Sequence, residues 1–371
     1  MPRPAPDPLP SVAAPSPRRP DVVRPPAMTD VATVAGVSHQ TVSRVLNDAP
    51  SVSPRTRALV LAAVEQLGYR PNTAARALAT GRSRTLGVLC MSGTLYGPAS
   101  MLSGVQAAAR EAQYGVMVVD LPSTDAEVLH QRTSLLLKQG VDAVVVIAPV
   151  PSSAEALRAA AGGLPLVVLE GEPDGEVDGV CVDQVAVGRL ATEHLVQAGH
   201  RTVWHVTGPS GPTGHYESDG REAGWRQALT DVGAEVPPPL PGDWSPRSGY
   251  DAGQLLVRMA GVTAVFAAND QMALGVLRAL RERGCRVPED VSLVGVDDIP
   301  EAAYLSPPLT TVRQDFAAVG RESMQVVLAQ IESGARQRAR VVLAPELVVR
   351  RSVVPPLGDH PGRSWVQASV R

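Results

Sequence analysis

Apolar residues recur every three to four positions across the first structured stretch of the chain. Val31 and Val34 come first, then Val42, Val45 and Leu46 at i, i+3 and i+4, and then Val60, Val64 and Leu67. This spacing predicts three short helices, over 30–35, after Ser38, and from Ser53-Pro54 to 67. Ser38 and Ser53 are favourable N-caps, and Pro54 suits the first helical position. Gly36-Val37 breaks the pattern where a helix-turn-helix needs its turn, and the small Ala32 lets the first two helices cross closely. Opposite the apolar stripe, the second helix carries His39, Gln40, Ser43 and Arg44. These are short or forked hydrogen-bonding groups with no carboxylate among them, so this face can meet phosphates and base edges without repulsion.

Residues 72–80 read Asn-Thr-Ala-Ala-Arg-Ala-Leu-Ala-Thr, too lightly apolar to hold a helix unaided in water. From Thr85 on, the period changes. Short β-branched runs over 86–90, 115–120, 143–148, 165–169 and 179–182 alternate with helical runs, and the unit recurs with strands over 202–207, 262–267 and 291–296. The expected body is therefore α/β, two lobes of doubly wound parallel sheet with a cleft between them. Ligands of such sheets bind at the carboxyl ends of strands, which singles out Leu95, Glu170, Arg221, Asn269 and Asp297.

Composition sharpens this picture at three points. Hydrophobic residues make up 44% of 371 positions and aromatics only 3%, so the core must be built mostly from Val, Leu and Ala. The net charge of -3 conceals an asymmetry: residues 1–84 carry eleven Arg against five acidic residues, and the acidic excess lies beyond them. A basic head on an acidic body fits a protein that touches nucleic acid at one end. Cys90, Cys181 and Cys285 stand alone, without metal-ligand spacing, and read as buried free thiols of a reducing cytoplasm, with no metal and no cofactor. Residues 1–27 hold ten prolines and no apolar run long enough for a signal peptide or membrane helix, so they read as a solvated tail. The seven histidines are scattered. His194 and His200 are assigned surface or capping roles, and with no nucleophile elbow or phosphate-cradling loop the chain does not read as an enzyme.

The residues Val31-Ala32, Ala35 to Ser38, Thr41 to Asn47, Val52-Ser53, Thr56-Arg57, Gly68-Tyr69, Pro71-Asn72 and Ala75 to Leu78 together resemble the headpiece of the lactose/galactose repressor (LacI/GalR) family. The likeness continues through Arg221 with Ala223-Gly224-Trp225, Gly242 to Ser245, Ala268 to Gly275, Val294 to Asp298, Pro307 to Thr311 and Gln314 to Phe316. The resemblance implies DNA contacts from Thr29, Ser38, His39, Gln40, Thr41, Ser43, Arg44 and Asn47. It further implies a hinge helix over 72–79 that orders on DNA, with Asn72 and Ala75 against the duplex and Leu78 wedged into the minor groove. In the body it implies a sugar pocket in which Asp297, Asn269, Arg221 and Glu170 hold hydroxyls. Trp244 and Phe316 would cover apolar faces, and Leu95, Pro98 and Met101 would close the pocket from the first lobe.

The chain departs from the family's galactoside-responsive pattern at several places. Glu170 stands for an aspartate, Asp219 for an arginine and His39 for a tyrosine, and the loop over 208–216 is longer. The resulting expectation is a tail over 1–27, an all-α helix-turn-helix domain over 28–71, a hinge over 72–84, a two-lobed sugar-binding and dimerisation domain over 85–351, and a tail over 352–371. Its function would be that of a cytoplasmic, nucleoid-associated homodimeric repressor of carbohydrate genes, released from a palindromic operator by a galactoside-like sugar. The last stretch has no leucine heptads, which argues against a terminal coiled coil. A corepressor-type effector would suit the same pattern, and a sugar-binding transport protein would share the body but not the stretch 36–47.

Overall fold

The computed structural model describes residues 24, 26–46, 49–70, 77, 81–91, 95–149, 154–171, 177–209, 216–337 and 339–357. The chain divides into two compact units, Met1–Gly81 and Arg82–Arg371.

In the first unit, α1 (Met28–Ala35), α2 (His39–Leu46) and α3 (Pro54–Leu67) close around Val31, Ala32, Val42, Val45, Val60, Ala63 and Tyr69. Gly36 ends α1 with φ +64°, a conformation that needs no Cβ, and Val37 N–H donates to the Ala32 carbonyl. Helix α1 starts two residues before the expected position because the Asp30 carboxylate accepts from the Ala27 N–H and so fixes the first turn. Ser53 caps α3 through the Thr56 N–H.

The second unit runs in chain order through β1 (Thr85–Cys90), α4 (Tyr96–Glu111), β2 (Gly115–Asp120), α5 (Ala126–Lys138), β3 (Ala143–Pro149), α6 (Ala154–Ala160), β4 (Leu166–Glu170) and β5 (Asp178–Val182). It continues with α7 (Gln184–Gln197), β6 (Trp204–Thr207), α8 (Tyr216–Asp231), β7 (Leu240–Pro241), α9 (Pro246–Leu256), β8 (Ala264–Ala267), α10 (Asp270–Glu282) and β9 (Ser292–Asp297). After β10 (Thr310–Arg313) come α11 (Phe316–Ser333), β11 (Arg340–Leu343) and β12 (Glu346–Val348). One sheet has the order β11-β5-β4-β3-β1-β2 and the other β12-β10-β9-β8-β6-β7. The recorded pairings are parallel, apart from β12 against β10. Strands covered on both faces need continuous apolar runs, and β5, β8 and β9 are buried at every position.

The chain passes between the sheets three times, at Asp183, at Gln314-Asp315 and at Ala344-Pro345. Because of the last two crossings, β11 completes the first sheet and β12 edges the second. The sequence reading named neither strand, and the alternation of apolar runs in any case fixes the kind of element and not the sheet it joins.

Helices α7 and α8 touch backbone to backbone. A Cβ on Gly188 would lie 2.0 Å from the Arg221 carbonyl oxygen, and one on Gly224 would lie 2.0 Å from that of Val185. The cysteines are free and buried, as expected. Among the described residues, no helix is long and apolar enough to cross a membrane.

Two expected boundaries move. The second unit begins at Arg82, because the Asp142 carboxylate accepts from the backbone N–H groups of Ser83 and Arg84 and from the Ser83 hydroxyl. At the other end, residues 352–357 are ordered against the second lobe. Ser352 is buried and exchanges hydrogen bonds with Leu293 and Thr310, while Val354 pairs with the Ser292 hydroxyl. His200, expected in a surface or capping role, is buried beneath this segment. Its ring bonds the Thr263 hydroxyl and the Val354 carbonyl, and burial holds its pKa below the usual imidazole range.

Candidate functional site

The exposed face of α2 presents His39, Gln40 and Arg44, and among the described residues none of these three side chains bonds another protein group. Ser38 caps the helix by accepting from the Thr41 N–H, and its hydroxyl pairs with that of Thr41. Ser43 and Thr41 are half-buried beside that face, and Thr29 is exposed on α1. Asn47, Asn72, Ala75 and Leu78 lie outside the described residues. The far end of α2 is held by Arg57, whose guanidinium donates to the carbonyls of Val45 at 3.4 Å and Ala49 at 3.0 Å. The bond to Val45 satisfies a carbonyl that the helix end leaves without a partner and complements its negative pole, and the bond to Ala49 ties down the turn that follows. Sequence reasoning used Arg57 only as part of a motif, because a lone arginine twelve positions away gives no sign of capping another helix.

The second constellation lies in the body. Asp297 closes β9 and Glu170 closes β4, as the strand-end logic requires, though the side chain of Glu170 is outside the described residues. Arg221 does not follow a strand; it sits in the second turn of α8. Leu95 is the N-cap of α4, not a residue immediately after β1. Asn269 caps α10, its Oδ1 accepting from the Met272 N–H, and its Nδ2 donates to the Trp244 carbonyl at 3.1 Å. Its first role is thus to organise the site.

Trp244 has φ +69°, in the left-handed region, and this bend has visible causes. The Asp243 carboxylate accepts from the Ser245 N–H across it, and the bonds from Ser245 and Ser248 hold that carboxyl below the usual range. The indole rests on Gly208, where a Cβ would come within 2.2 Å of the ring, and the Arg221 guanidinium lies 5.3 Å from the ring centroid. Such a flat apolar face beside a cation suits the C–H face of a sugar ring.

Asp297 and Asp298 both take positive φ, +106° and +54°. Asp298 is anchored by Arg350 at 2.6 Å and Arg313 at 2.8 Å, which leaves Asp297 turned inward. The Oδ1 of Asp297 accepts from Gln314 Nε2 at 2.7 Å, and among the described residues its Oδ2 accepts nothing. Burial raises its pKa to about 6, against the pull of Arg221 and of the Gln314 bond. Behind it, the Asp270 carboxylate accepts from the Thr311 hydroxyl and the Ile299 N–H, and burial together with Asp297 pushes its pKa well above the usual range.

The first lobe contributes apolar groups. Phe316 opens α11 and is nearly buried, with Tyr96 edge-on at 6.1 Å. Met101 packs in the same core cluster, while Leu95 and Pro98 are half-buried at the start of α4. Sequence reasoning missed Tyr96 and Gln314. Gln314 directly follows β10, so recognition of that strand would have found it.

These features define a class: a helix-turn-helix domain with an unencumbered polar reading face, joined to a two-lobed α/β body in which Asp297 at a strand end lies near Arg221, itself beside the Trp244 ring. Residues 27–72 match the model of bacterial regulatory proteins of the lacI family, and residues 192–353 match a periplasmic binding protein-like domain. The chain is 34% identical over 336 residues to the lactose operon repressor of Escherichia coli strain K12, covering 90% of this chain and 92% of that protein. It is 36% identical over 345 residues to the transcriptional regulator CelR of Thermobifida fusca, covering 89% and 98%. Among solved structures, it is similar to the lac repressor dimer bound to operator and the anti-inducer ONPF, with TM-score 0.80, 34% identity, and coverage of 89% of this chain and 100% of that one. It is also similar to a CelR–cellobiose complex, with TM-score 0.66, 33% identity, and coverage of 88% and 99%. The chain belongs to the lacI family of bacterial regulatory proteins and is a DNA-binding regulator of transcription.

Proposed function

We propose that the chain is a homodimeric, cytoplasmic repressor of carbohydrate genes whose effector is a galactoside-like sugar bound between the two lobes. The observation that carries this reading is the pairing of Asp297 Oδ2, inward-turned and without a protein donor among the described residues, with the Trp244 indole backed by Arg221. A carboxylate accepts from hydroxyls that a flat apolar face holds in register, a combination that suits a pyranose and not an apolar or anionic ligand. Two relatives support it: one is named for the lactose operon, and the other was solved with cellobiose. On the DNA side, Arg44 and Gln40 would read base edges in the major groove, and a dimer would place two such helices on a palindrome. The effector acts only by preferring one arrangement of the lobes, the one with weaker operator affinity.

Fluorescence anisotropy on a palindromic lactose-type operator, with a panel of galactosides and of cellobiose-like disaccharides, tests the proposal. Salt-sensitive binding weakened by one sugar supports it, and binding tightened by a sugar makes that sugar a corepressor. If no sugar changes the affinity, the sugar reading fails.

A further inference from the structure

Two of the three crossovers between the lobes have the same design. At the first, Asp183 caps α7 by accepting from the Ala186 N–H, and Gln184 follows it. At the second, Asp315 caps α11 by accepting from the Ala318 N–H, and Gln314 precedes it. The two glutamines meet, with Gln184 Nε2 donating to Gln314 Oε1 at 2.9 Å. The outer end of each amide is tied to a charged group of the candidate site. Arg221 Nε donates to Gln184 Oε1 at 2.9 Å, and Gln314 Nε2 donates to Asp297 Oδ1 at 2.7 Å. Arg221 and Asp297 are thus linked through two crossovers.

The charges at the ends fix the direction of the whole relay. The guanidinium can only donate and the ionised carboxylate can only accept, so both amides must run head to tail. Flipping either amide would set oxygen against carboxylate or N–H against N–H. All four side chains are buried, so neither fault could be relieved by water. Nor can Gln184 drift sideways, because a Cβ on Gly220 of α8 would lie only 2.6 Å from its own Cβ. The relay therefore has one satisfied state while its ends are fixed, and a change at either end has to be met by movement of the backbone at 183–184 and 314–315 together.

We propose that Gln184 and Gln314 are positioning residues that transmit occupancy of the cleft to the crossovers. A polyhydroxylated effector held by Asp297 and Arg221 competes for the two ends of the relay and resets both crossovers at once. This rests on the reading of the cleft as an effector site. Gln184 stands behind Arg221, so its own substitution separates binding from transmission.

The test uses the full-length chain with Gln184→Met, which keeps the length but neither hydrogen bond, and Gln184→Glu, which keeps the bond from Arg221 but cannot donate to Gln314. Hydrogen exchange without ligand should show amides at 314–318 opening at least tenfold faster in both variants, although the substitution is 130 residues away. With lactose and cellobiose as probes, the calorimetric Kd should stay within about threefold of wild type, while the ratio of operator affinities without and with sugar should fall at least tenfold. Wild-type exchange at 314–318, or an unchanged ratio, overturns the proposal. If neither probe moves the wild-type protein on its operator, the sugar reading fails and the exchange experiment alone decides whether the relay ties the crossovers.

Discussion

The two functional regions handle their polar groups in opposite ways. On α2, His39, Gln40 and Arg44 are exposed and bond nothing else in the described protein. In the cleft, Arg221, Gln314, Asp297 and Asn269, with Gln184 behind Arg221, are buried and bond one another or the backbone. A reading surface must leave its donors and acceptors for the partner, and water satisfies them meanwhile. A buried site must satisfy each group internally or lose stability, so its ligand has to enter an existing network. The first region can therefore change its partner by single substitutions, whereas the second changes only with its neighbours.

The sharpest break in this comparison is Asp297→Asn. It removes the charge proposed to grip hydroxyls while preserving an acceptor for Gln314, so effector affinity should drop at least ~100-fold in calorimetry, with operator affinity unchanged. The same variant should resist urea better than wild type at neutral pH, because it no longer buries a carboxylate whose pKa burial has raised. Gly224→Ala forces a methyl against the Val185 carbonyl and should cost about 3 kcal/mol of unfolding free energy, read from the denaturant midpoint.

Arg44→Ala should act on the other region alone. It should weaken operator binding by about 10–100-fold and leave the effector Kd untouched. Titrating pH distinguishes the two regions again. The folded pKa of Asp297, about 6, lies above the ordinary carboxylate value, so its stability contribution is full at low pH and is lost as pH rises through 6. Under the proposed grip, effector binding has the opposite sign, because a hydroxyl-accepting Asp297 must be ionised. Its affinity should fall by about tenfold for each unit below pH 6, and a flat calorimetric profile from pH 7 to 5 would remove Asp297 from the grip. The smallest effect belongs to Ser38→Ala, which removes the α2 cap and should cost the headpiece about 1 kcal/mol in thermal melts.

Much of the reading helix was legible beforehand because every clue to it is local. A capping serine, a stripe at i, i+3 and i+4, and a glycine after α1 act within a few residues, so the sequence could name both the helix and its exposed face. Arg57 escaped because its partners lie on another helix. In the body, the pattern of β-branched runs sufficed for two parallel lobes, and Asp297 and Glu170 do lie at the ends of strands. Strand-end logic misplaced Arg221 and Leu95, which reach their positions on helices; the surface or capping role expected for His200 did not foresee its burial under residues 352–357.

By itself, the sequence determined the three headpiece helices, the strands read as β-branched runs, which face of α2 stays polar, and which residue types would suit a sugar, since these depend on side-chain chemistry and short-range spacing; β7, β10, β11 and β12, all short, escaped that reading. Only the tertiary structure decided that β11 and β12 exchange sheets, that Asn269 spends its amide on Trp244, and that Gln184 meets Gln314 across 130 residues. Those contacts have no period and no local signal. They exist because burial of charged ends obliges distant polar groups to satisfy one another, and only the folded chain brings them within reach.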